Sequence, residues 1–283
     1  MIPGGVERCQ RWGGGREAWR PAGELVDVSR FDVETIPEDV AKAFVTRHHY
    51  SGSYPAASCR VGLFRRELGH VRELAGVAVF SVPPQAAAIR RWTGTDAGLE
   101  LGRFVLLENV EGNGETFFLG QAFRVLAEEK PGISAVLSYA DPMVRLTAEG
   151  RIVTPGHVGT IYQAHNGRHV GRSEARWSYF DRDGRIVSRR ALSKVRGDEI
   201  GAGGAYAGLL AQGAPERRPF EEGAAYVARV LAEAPWTRIR HPGNLAYVWG
   251  VGAGKRAARR ALPEALPYPK RDAVVDPARE VAA

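Results

Sequence analysis

Cysteine is scarce in this sequence of 283 residues, in which Cys9 and Cys59 are the only two. Cys9 lies in a Gly-rich leader and Cys59 in a stretch that we interpret as a loop, so they form neither a disulfide framework nor a zinc site. No apolar run approaches the roughly 18–20 residues that span a membrane. The N-terminus has no apolar segment of the kind that directs secretion. We therefore expect a protein of the reducing cytoplasm that has no membrane partner.

Positive charge is in excess, with 39 Lys and Arg against 32 Asp and Glu and a formal net charge of +7. Such a balance favours polyanionic partners, because Lys and Arg replace the counterions of phosphates. The excess is clustered in two places. Residues 168–196 contain nine Lys or Arg and three acidic residues, and a second basic group, GKRAARR, occupies residues 254–260.

Composition divides the chain into three parts. Residues 1–24 are rich in Gly, Arg and Trp without periodicity, and we expect a flexible leader there. Residues 25–199 carry strand and helix patterns and form the expected main domain. Residues 200–283 begin with a Gly- and Ala-rich linker and continue as a helical and basic extension.

The periodicities of residues 25–199 predict a mixed sheet. The segment from Val26 alternates like a strand, and Thr35 and Glu38 form a capping box for a helix that ends near His48–Tyr50. Strands are predicted at ELAGVAVFSVPP, LELGRFVLLENV and ISAVLSYADP, with a helix at GNGETFFLGQAFRVLAEEKPG before the last. ARWSYFDRDGRIVSRRAL is predicted as a β-hairpin. Strands joined by a crossover helix and followed by a hairpin indicate the α/β or α+β class.

Three polar residues in this region have both a functional and a structural interpretation. Arg103 stands among apolar neighbours, so that it is either partly buried with a bound anion or on the solvent face of a half-exposed strand. Asp141 ends a strand before a proline, and it either projects into a cleft or forms an Asx-turn. Tyr162 is either a cleft residue or a core tyrosine with a satisfied hydroxyl.

The turn ENVEGNGETFF joins a strand to a helix N-terminus, where free backbone N–H groups hold anions. It is either a structural turn, with Thr116 as a cap, or a site for the phosphates of a donor. The carboxylates Glu108, Glu111 and Glu115 flank the turn and would repel a pyrophosphate, which favours the structural interpretation.

The stretch RHHYSGSYP places His48, His49 and Tyr50 at the end of a predicted helix. The helix dipole favours a cation at that end and explains one histidine. A second histidine followed by Tyr50 and a Ser-Gly turn indicates that one histidine and Tyr50 enter a cleft, as base, hydrogen-bond donor or metal ligand. Adjacent residues diverge on a helix, so His48 and His49 are not expected to bind one ion together.

The order of these segments is more specific than any one of them. HHYSG, LELGRFVLLENVEGNGETFFLGQAFRVL, VLSYADP, GHVGTIYQAHN and LPYPKR follow one another in a way that resembles the bacteriophage Mom family of DNA-modification proteins. The resemblance covers residues 25–196 and the C-terminal patch. Mom proteins are similar to distant members of the GCN5-related N-acetyltransferase (GNAT) fold. The resemblance therefore implies a GNAT-like fold with a mixed, mostly antiparallel central sheet and flanking helices, and it makes residues 25–199 the catalytic domain.

The resemblance also implies a function. The implied protein is a phage or prophage enzyme in the host cytoplasm. It converts adenine in double-stranded DNA to N6-carbamoylmethyl adenine and protects the DNA from restriction. The adenine is expected to flip out of the duplex to meet a small-molecule donor. The implied catalytic residues are His49, Tyr50, Arg103, Asp141 and Tyr162. Donor or substrate binding is assigned to Gly114, Thr116, His157 and Asn166. Contact with the DNA backbone is assigned to Arg168, Arg172, Arg176, Arg189 and Arg190.

Two departures from the family pattern leave the cofactor open. Residues 143–155 separate the ADP and GHVGT blocks, as a loop over the site or a shift that alters substrate access. The turn before the helix lacks the Gly pattern of ordinary acetyltransferases, so an acyl-CoA-type donor is not favoured. A divalent metal such as iron, with His49 as a candidate ligand, is compatible with the site.

Two alternative functions stay open at this point. One is a GNAT-type N-acyltransferase that acts on a small molecule or a protein. The other is a non-enzymatic DNA-binding protein that prevents restriction by occupancy.

Overall fold

The structure is a computed structural model that describes residues 8–13, 16–21, 23–66, 71–83, 85, 87–252 and 254–276. Its strands are β1 (Arg8–Gly13), β2 (Arg16–Arg20), β3 (Phe31–Thr35), β4 (Ala57–Arg66), β5 (Arg72–Ser81), β6 (Gly98–Leu106), β7 (Ala135–Ala140), β8 (Arg145–Leu146), β9 (Ile152–Thr154), β10 (Arg168–Arg172), β11 (Arg176–Phe180), β12 (Thr237–His241) and β13 (Leu245–Gly250). Its α-helices are α1 (Glu38–His48), α2 (Ala87–Thr93), α3 (Gly114–Glu129), α4 (Thr160–Ala164), α5 (Arg189–Arg196), α6 (Ala202–Ala211), α7 (Gly223–Glu233) and α8 (Lys255–Ala261).

Seven strands form one sheet in the order β10-β13-β7-β6-β5-β4-β3. Neighbouring strands are antiparallel, except that β6 and β7 are parallel. A parallel pair needs a crossover connection, and α3 lies in the segment that joins β6 to β7. This mixed, mostly antiparallel sheet with flanking helices confirms the predicted fold class.

Both faces of the sheet are covered by helices. On one face, Phe118 and Leu119 of α3 pack in a core with Leu101 of β6. On the other face, Val45 of α1 packs with Val79 of β5, while α2 belongs to a third core that includes the inner strands β7 and β13. The sheet is therefore buried on both sides, which explains why its inner strands are apolar runs rather than alternating segments.

The chain divides into two units that cut across the boundary expected at residue 199. Residues 1–142, 157–173 and 244–274 form the first unit, which contains the seven-stranded sheet. Residues 143–156, 174–243 and 275–283 form the second unit. The difference arises because β13, from the expected C-terminal extension, pairs with both β7 and β10 in the sheet.

The second unit has its own core, formed by α5, α6 and α7 around side chains such as Leu192, Leu209 and Tyr226. The predicted hairpin at ARWSYFDRDGRIVSRRAL is present only at its turn, where Phe180 and Ile186 form an isolated antiparallel bridge. Its first half is β11, but β11 pairs with β12. Its second half becomes α5, because the hydroxyl of Ser188 caps the helix by accepting a hydrogen bond from the amide of Ala191 at 3.2 Å.

Two segments expected to be irregular are ordered elements of the second unit. The Gly- and Ala-rich linker contains α6, whose Leu209 is fully buried. The insertion at residues 143–155 forms the antiparallel pair of β8 and β9. Neither segment has the apolar periodicity from which secondary structure is predicted. Tertiary packing stabilises them instead.

Three local predictions in the first unit are corrected as well. The expected flexible leader contains β1 and β2, which pair antiparallel, while residues 1–7 lie outside the described residues. The expected capping box is absent, because α1 starts at Glu38 with Pro37 at its N-cap position. Cys59 is buried on β4 rather than in a loop. Among the described residues, no helix combines the length and the apolar character that crossing a membrane requires.

Candidate active site

The parallel pair β6 and β7 opens part of the way along its length. The two strands pair from Gly98 with Ala135 to Glu100 with Leu137. At the next position, the carbonyl of Leu101 accepts a hydrogen bond from the Ser138 hydroxyl at 3.0 Å instead. Ligands of sheets with parallel strands bind where neighbouring strands part, because side chains from both strands then face one cleft.

A β-bulge in β6 sets which side chains face this opening. On β5, Val79 is opposite Arg103 while Phe80 is opposite Leu101, so that Gly102 is the extra residue. Residues three apart normally lie on opposite faces of a strand, but one extra residue returns them to the same face. Leu101 is in the core beneath α3, and Glu100 and Arg103 are thereby both directed to the opposite face.

Gly102 is needed at the bulge for a steric reason. A Cβ atom at this position would lie 2.8 Å from the Ser81 hydroxyl oxygen, closer than side-chain carbons normally approach. The bulge and its glycine together bring a carboxylate and a guanidinium close to each other.

Arg103 is held by the loop that follows α1. Its Nε donates to the carbonyl of Ser53 at 2.8 Å, and its Nη2 donates to the Ser53 hydroxyl at 2.7 Å. Nη1 donates to the carbonyl of Gly102. Among the described residues, these contacts use three of the five N–H groups of the guanidinium and leave one on each terminal nitrogen for a ligand.

Four titratable side chains act on one another at this point. Burial lowers the pKa of Arg103, while Tyr50, Glu100 and Tyr162 oppose that shift. Burial raises the pKa of Glu100, and Arg103 opposes it. Burial also raises the pKa of Tyr162 to about 12, against a hydrogen bond with the side chain of Ser138. We call Tyr50, Glu100, Arg103 and Tyr162 the β6 cluster.

The two adjacent histidines at the end of α1 have different surroundings. His48 is the last residue of the helix, and its ring lies 4.6 Å from that of Phe44, where burial lowers its pKa. His49 leaves the helix in extended conformation and stacks on Tyr50 with ring centroids 4.3 Å apart. Its Nδ1 lies 2.9 Å from the Ser51 hydroxyl oxygen and 3.2 Å from the Ser51 amide nitrogen, so the turn after α1 fixes the orientation of the ring.

This arrangement brings together three of the five predicted catalytic residues, Tyr50, Arg103 and Tyr162, and places His49 beside Tyr50. Asp141 is buried at the carboxyl end of β7, and its carbonyl accepts a hydrogen bond from the amide of His157 at 2.7 Å. The contacts that define the β6 cluster do not include Asp141.

With the site described, its relatives can be identified. The Mom protein family matches residues 30–203 of the chain. The chain belongs to the Mom protein family. Membership confirms the resemblance found in the sequence and supports a phage DNA-modification protein of the transferase kind.

We also compared this Mom family member with curated protein sequences and with solved structures. None of the curated proteins is significantly similar to it in sequence. A solved structure, described as a tandem GNAT protein from the clavulanic acid biosynthesis pathway without AcCoA, is similar over 83% of this chain and 99% of its own. The identity is 8% and the TM-score 0.38, and at that level the likeness assigns no residue and no reaction.

The turn before α3 is closed by other parts of this Mom family member. Arg11 forms an ion pair with Glu115 at 2.7 Å and donates to the carbonyl of Val110 at 2.6 Å. A carboxylate oxygen of Glu24 accepts from the amide of Gly112 at 2.9 Å. The amide that a phosphate would approach thus already holds a carboxylate, and the acidic flank is neutralised by arginine.

Gly114 and Thr116, expected to bind the donor, have structural roles in this turn. A Cβ atom on Gly114 would lie 2.5 Å from a methyl carbon of Val110, and the Thr116 hydroxyl donates to the carbonyl of Asn113 at 2.9 Å. Asn166 lies in the turn after α4 with a φ of +55°, apart from the contacts of the β6 cluster.

The arginines assigned to the DNA backbone differ in their surroundings. Arg168 on β10 donates to the carbonyls of Leu262 and Pro263 at 3.0 and 3.1 Å. Arg190 forms an ion pair with Glu199 at 2.7 Å. Three others are exposed, namely Arg172 at the end of β10, Arg176 on β11 and Arg189 at the start of α5. Arg168 and Arg190 therefore already serve the fold, whereas the exposed three are available to a polyanion.

The sequence interpretation missed Glu100, Ser53 and Ser138. Glu100 had a signal, since a carboxylate in the apolar strand LELGRFVLL is unusual, but its proximity to Arg103 depends on the bulge. For a metal ion, no group of three or more His, Cys, Asp or Glu side chains is suitably arranged within the part of the chain that the structure describes. The described residues therefore do not match an iron site.

Proposed function

We propose that this protein is a DNA adenine-modifying transferase that converts adenine to N6-carbamoylmethyl adenine in duplex DNA and protects phage DNA from host restriction. Family membership supports DNA modification. The observation that supports the proposed chemistry is the β6 cluster, in which a half-buried carboxylate and a half-buried guanidinium face one opening of the sheet.

The reaction requires a base and a group that binds the donor, and we assign both to the β6 cluster. The exocyclic N6 amine of adenine is a poor nucleophile, because its lone pair is delocalised into the ring. As the bond from N6 to the donor carbon forms, one N–H proton leaves for a base and the leaving group departs with its bonding electrons. Glu100 is the base we assign, because burial raises its pKa toward the range in which a carboxylate accepts a proton effectively.

Arg103 is assigned to the donor. Its two remaining N–H groups, one on each terminal nitrogen, suit an anionic or carbonyl oxygen pair, and the contacts with Ser53 fix its plane beforehand. The donor itself is a small molecule, and the closed turn before α3 supports one that is not bound there through a pyrophosphate.

The two tyrosines differ in exposure and therefore in role. Tyr50 is 37% exposed and stacked on His49, and we assign it to stacking against an extruded adenine. Tyr162 stays a neutral phenol at physiological pH, because its pKa is about 12, and it serves as a hydrogen-bond donor rather than a base.

Asp141 and His49 complete the proposed site. Asp141, buried at the end of the strand that parts from β6, is proposed to hold the amino group of the adenine. His49 is proposed to donate a hydrogen bond to the substrate through Nε2. His157 and the exposed arginines Arg172, Arg176 and Arg189 remain assigned to substrate and DNA-backbone contact.

Nucleoside mass spectrometry tests the proposal. The protein is expressed in a bacterium, cellular DNA is digested to nucleosides, and a species heavier than deoxyadenosine by a carbamoylmethyl group is sought. We expect it with the natural sequence and not with Asp141→Ala. Arg103→Lys, which keeps the charge but not the two-pronged donor, is expected to lose most of the product, while Arg90→Lys, exposed on α2, is the matched control.

The outcomes separate the proposal from its alternatives. Unmodified adenine with abundant soluble protein would favour occupancy of DNA or acyl transfer to another acceptor. Modification that persists in Arg103→Lys and Asp141→Ala would leave the activity in place and refute the assignment of these residues.

A further inference from the structure

The first unit contains a cavity that the proposed reaction does not use. It has a volume of about 780 Å³ and lies between α3, the turn after α4, the end of β13 and α8. This volume is in the range of sites for small molecules. The cavity is separate from the opening between β6 and β7.

Aromatic rings line part of this cavity. The ring of Phe123 lies 5.4 Å from that of Trp249 and 5.4 Å from that of His165, measured between centroids. Trp249 also contacts Tyr162 of the β6 cluster edge-to-face at 5.5 Å. One aromatic wall therefore separates the cavity from the cluster, and a flat or apolar group would have rings to lie against.

Cations line the rest of the cavity. Arg124 of α3 and Lys255, Arg256 and Arg259 of α8 contribute to the lining, with Glu128 as its single carboxylate. No carboxylate lies within ion-pairing distance of these four cations among the residues that the structure describes, although other surface arginines of the protein are paired. Like charges gathered in this way repel one another unless an anion neutralises them.

The backbone holds α8 against the sheet. A Cβ atom on Gly250 of β13 would lie 2.6 Å from the backbone nitrogen of Arg259, so that only glycine allows the helix to approach so closely. Arg168 fixes the other end of α8 by donating to the carbonyls of Leu262 and Pro263. The basic segment GKRAARR is thus fixed over the cavity by specific contacts.

We propose that this cavity binds phosphate groups of a ligand whose flat or apolar part lies against Phe123 and Trp249. Guanidinium and ammonium groups are the donors that suit phosphate, and stacking on tryptophan suits a nucleobase. The phosphate belongs either to a phosphorylated small molecule of the nucleotide class or to the backbone of a nucleic acid strand. The inference rests on the cavity and its charges, and it stands independently of the proposed carbamoylmethyl transfer.

Isothermal titration of the full-length protein with three probes tests the proposal. The probes are sodium pyrophosphate, adenosine diphosphate and a single-stranded oligodeoxynucleotide of twelve residues. Two cavity variants are compared with the natural protein. Arg256→Gln with Arg259→Gln removes two charges, and Ala127→Phe, on the half-buried lining residue of α3, fills the space and keeps every charge.

The matched control is Arg151→Gln with Arg185→Gln, which removes two exposed charges of the second unit. We expect both cavity variants to weaken binding by about tenfold or more, equivalent to about 1.4 kcal/mol, and the control to stay within about twofold. Thermal unfolding followed by circular dichroism verifies that each variant is folded.

The probes distinguish the two sources of phosphate. Binding of pyrophosphate or adenosine diphosphate that both cavity variants lose supports a phosphorylated small molecule. Binding of the oligonucleotide alone, again lost in both variants, supports a nucleic acid backbone. The proposal is overturned if no probe binds, if the control loses as much affinity as the cavity variants, or if Ala127→Phe binds as tightly as the natural protein.

Discussion

At the scale of the residue, the β6 cluster depends on a carboxylate that the fold keeps partly out of water. Because burial raises the pKa of Glu100, the folded protein binds this proton more tightly than the unfolded chain does. Stability therefore falls as the pH rises from the ordinary pKa of a glutamate through the raised value. The role that we propose for Glu100 thus has a cost in stability, as is common at active sites.

Glu100→Gln separates these two effects. As a general base, Glu100 must be ionised, so we expect the variant to lose modification by about 10²-fold or more. We also expect it to melt at a higher temperature at neutral pH, with the difference shrinking as the pH falls below the ordinary glutamate pKa. Quantitative nucleoside mass spectrometry and melting curves at several pH values measure both effects. Full modification by Glu100→Gln would show that another group takes the proton.

The activity of the natural protein should show the same group. The rate of modification is expected to fall as the pH decreases through the raised pKa of Glu100, because the protonated carboxyl cannot accept the N6 proton. Tyr162 gives no opposite effect at neutral pH, since its pKa is about 12. Single-turnover rates across the acidic range test this, and a rate independent of pH there would contradict the assignment.

A buried ion pair shows how the first unit uses the segment expected to be a flexible leader. The side chains of Arg11 and Glu115 are 7% and 8% exposed. Removing one partner leaves an unpaired buried charge, so we expect Arg11→Ala to lower the free energy of unfolding by about 3 kcal/mol. Arg30→Ala, which removes a half-exposed partner of Glu111, should cost less than about 1 kcal/mol. If urea unfolding shows that Arg11→Ala costs as little as Arg30→Ala, the leader contributes little to the stability of the fold.

At the scale of the element, the bulge at Gly102 is the feature that orients the site. Gly102→Ala adds a carbon 2.8 Å from the Ser81 hydroxyl oxygen, and either the Ser81 side chain or β6 must shift to relieve the contact. We expect a loss of about 1–3 kcal/mol in stability and a loss of modification, because Glu100 and Arg103 move with the strand. Gly132→Ala, which meets nothing within 4 Å, should change stability by less than about 0.5 kcal/mol.

Unfolding curves and the nucleoside assay together test the bulge. Normal activity in a folded Gly102→Ala variant would show that Glu100 and Arg103 do not need the bulge to meet.

The same element shows what the sequence could and could not predict. Strands β5, β6 and β7 and helix α3 were predicted because their apolar patterns are strong and local. The position of Arg103 next to Glu100 was not, since a bulge depends on the register between two strands. The hairpin after Arg176 was predicted correctly only at its turn for a similar reason, because β11 pairs along its length with β12, which is distant in sequence.

The candidate site was predicted in part on the same grounds. Tyr50, Arg103 and Tyr162 were named from a family motif order, and the structure brings them together. Glu100 escaped because its role lies in burial and neighbours rather than in a motif. For the turn before α3, the acidic flank favoured the structural interpretation. The contacts of Arg11 and Glu24 that close the turn could not be predicted from the sequence.

At the scale of the whole molecule, the candidate site includes a strand from beyond the expected domain boundary. β13 lies between β7 and β10, and Tyr247 and Trp249 on it contact Tyr162 at ring distances of 5.5 Å. The site is therefore assembled from sequence on both sides of the second unit, which interrupts the first.

A fragment of residues 25–199 should consequently fail to fold. It lacks the buried side chains of β13, including Leu245, Tyr247, Val248 and Trp249. Each contributes on the order of 2 kcal/mol when buried, and together they approach the 5–15 kcal/mol that stabilises a typical domain. We expect no cooperative melting transition from this fragment in circular dichroism, whereas residues 8–276, which keep every strand described, should melt cooperatively. Cooperative melting of the fragment would mean that the sheet closes without β13, and the boundary at residue 199 would then be a true one.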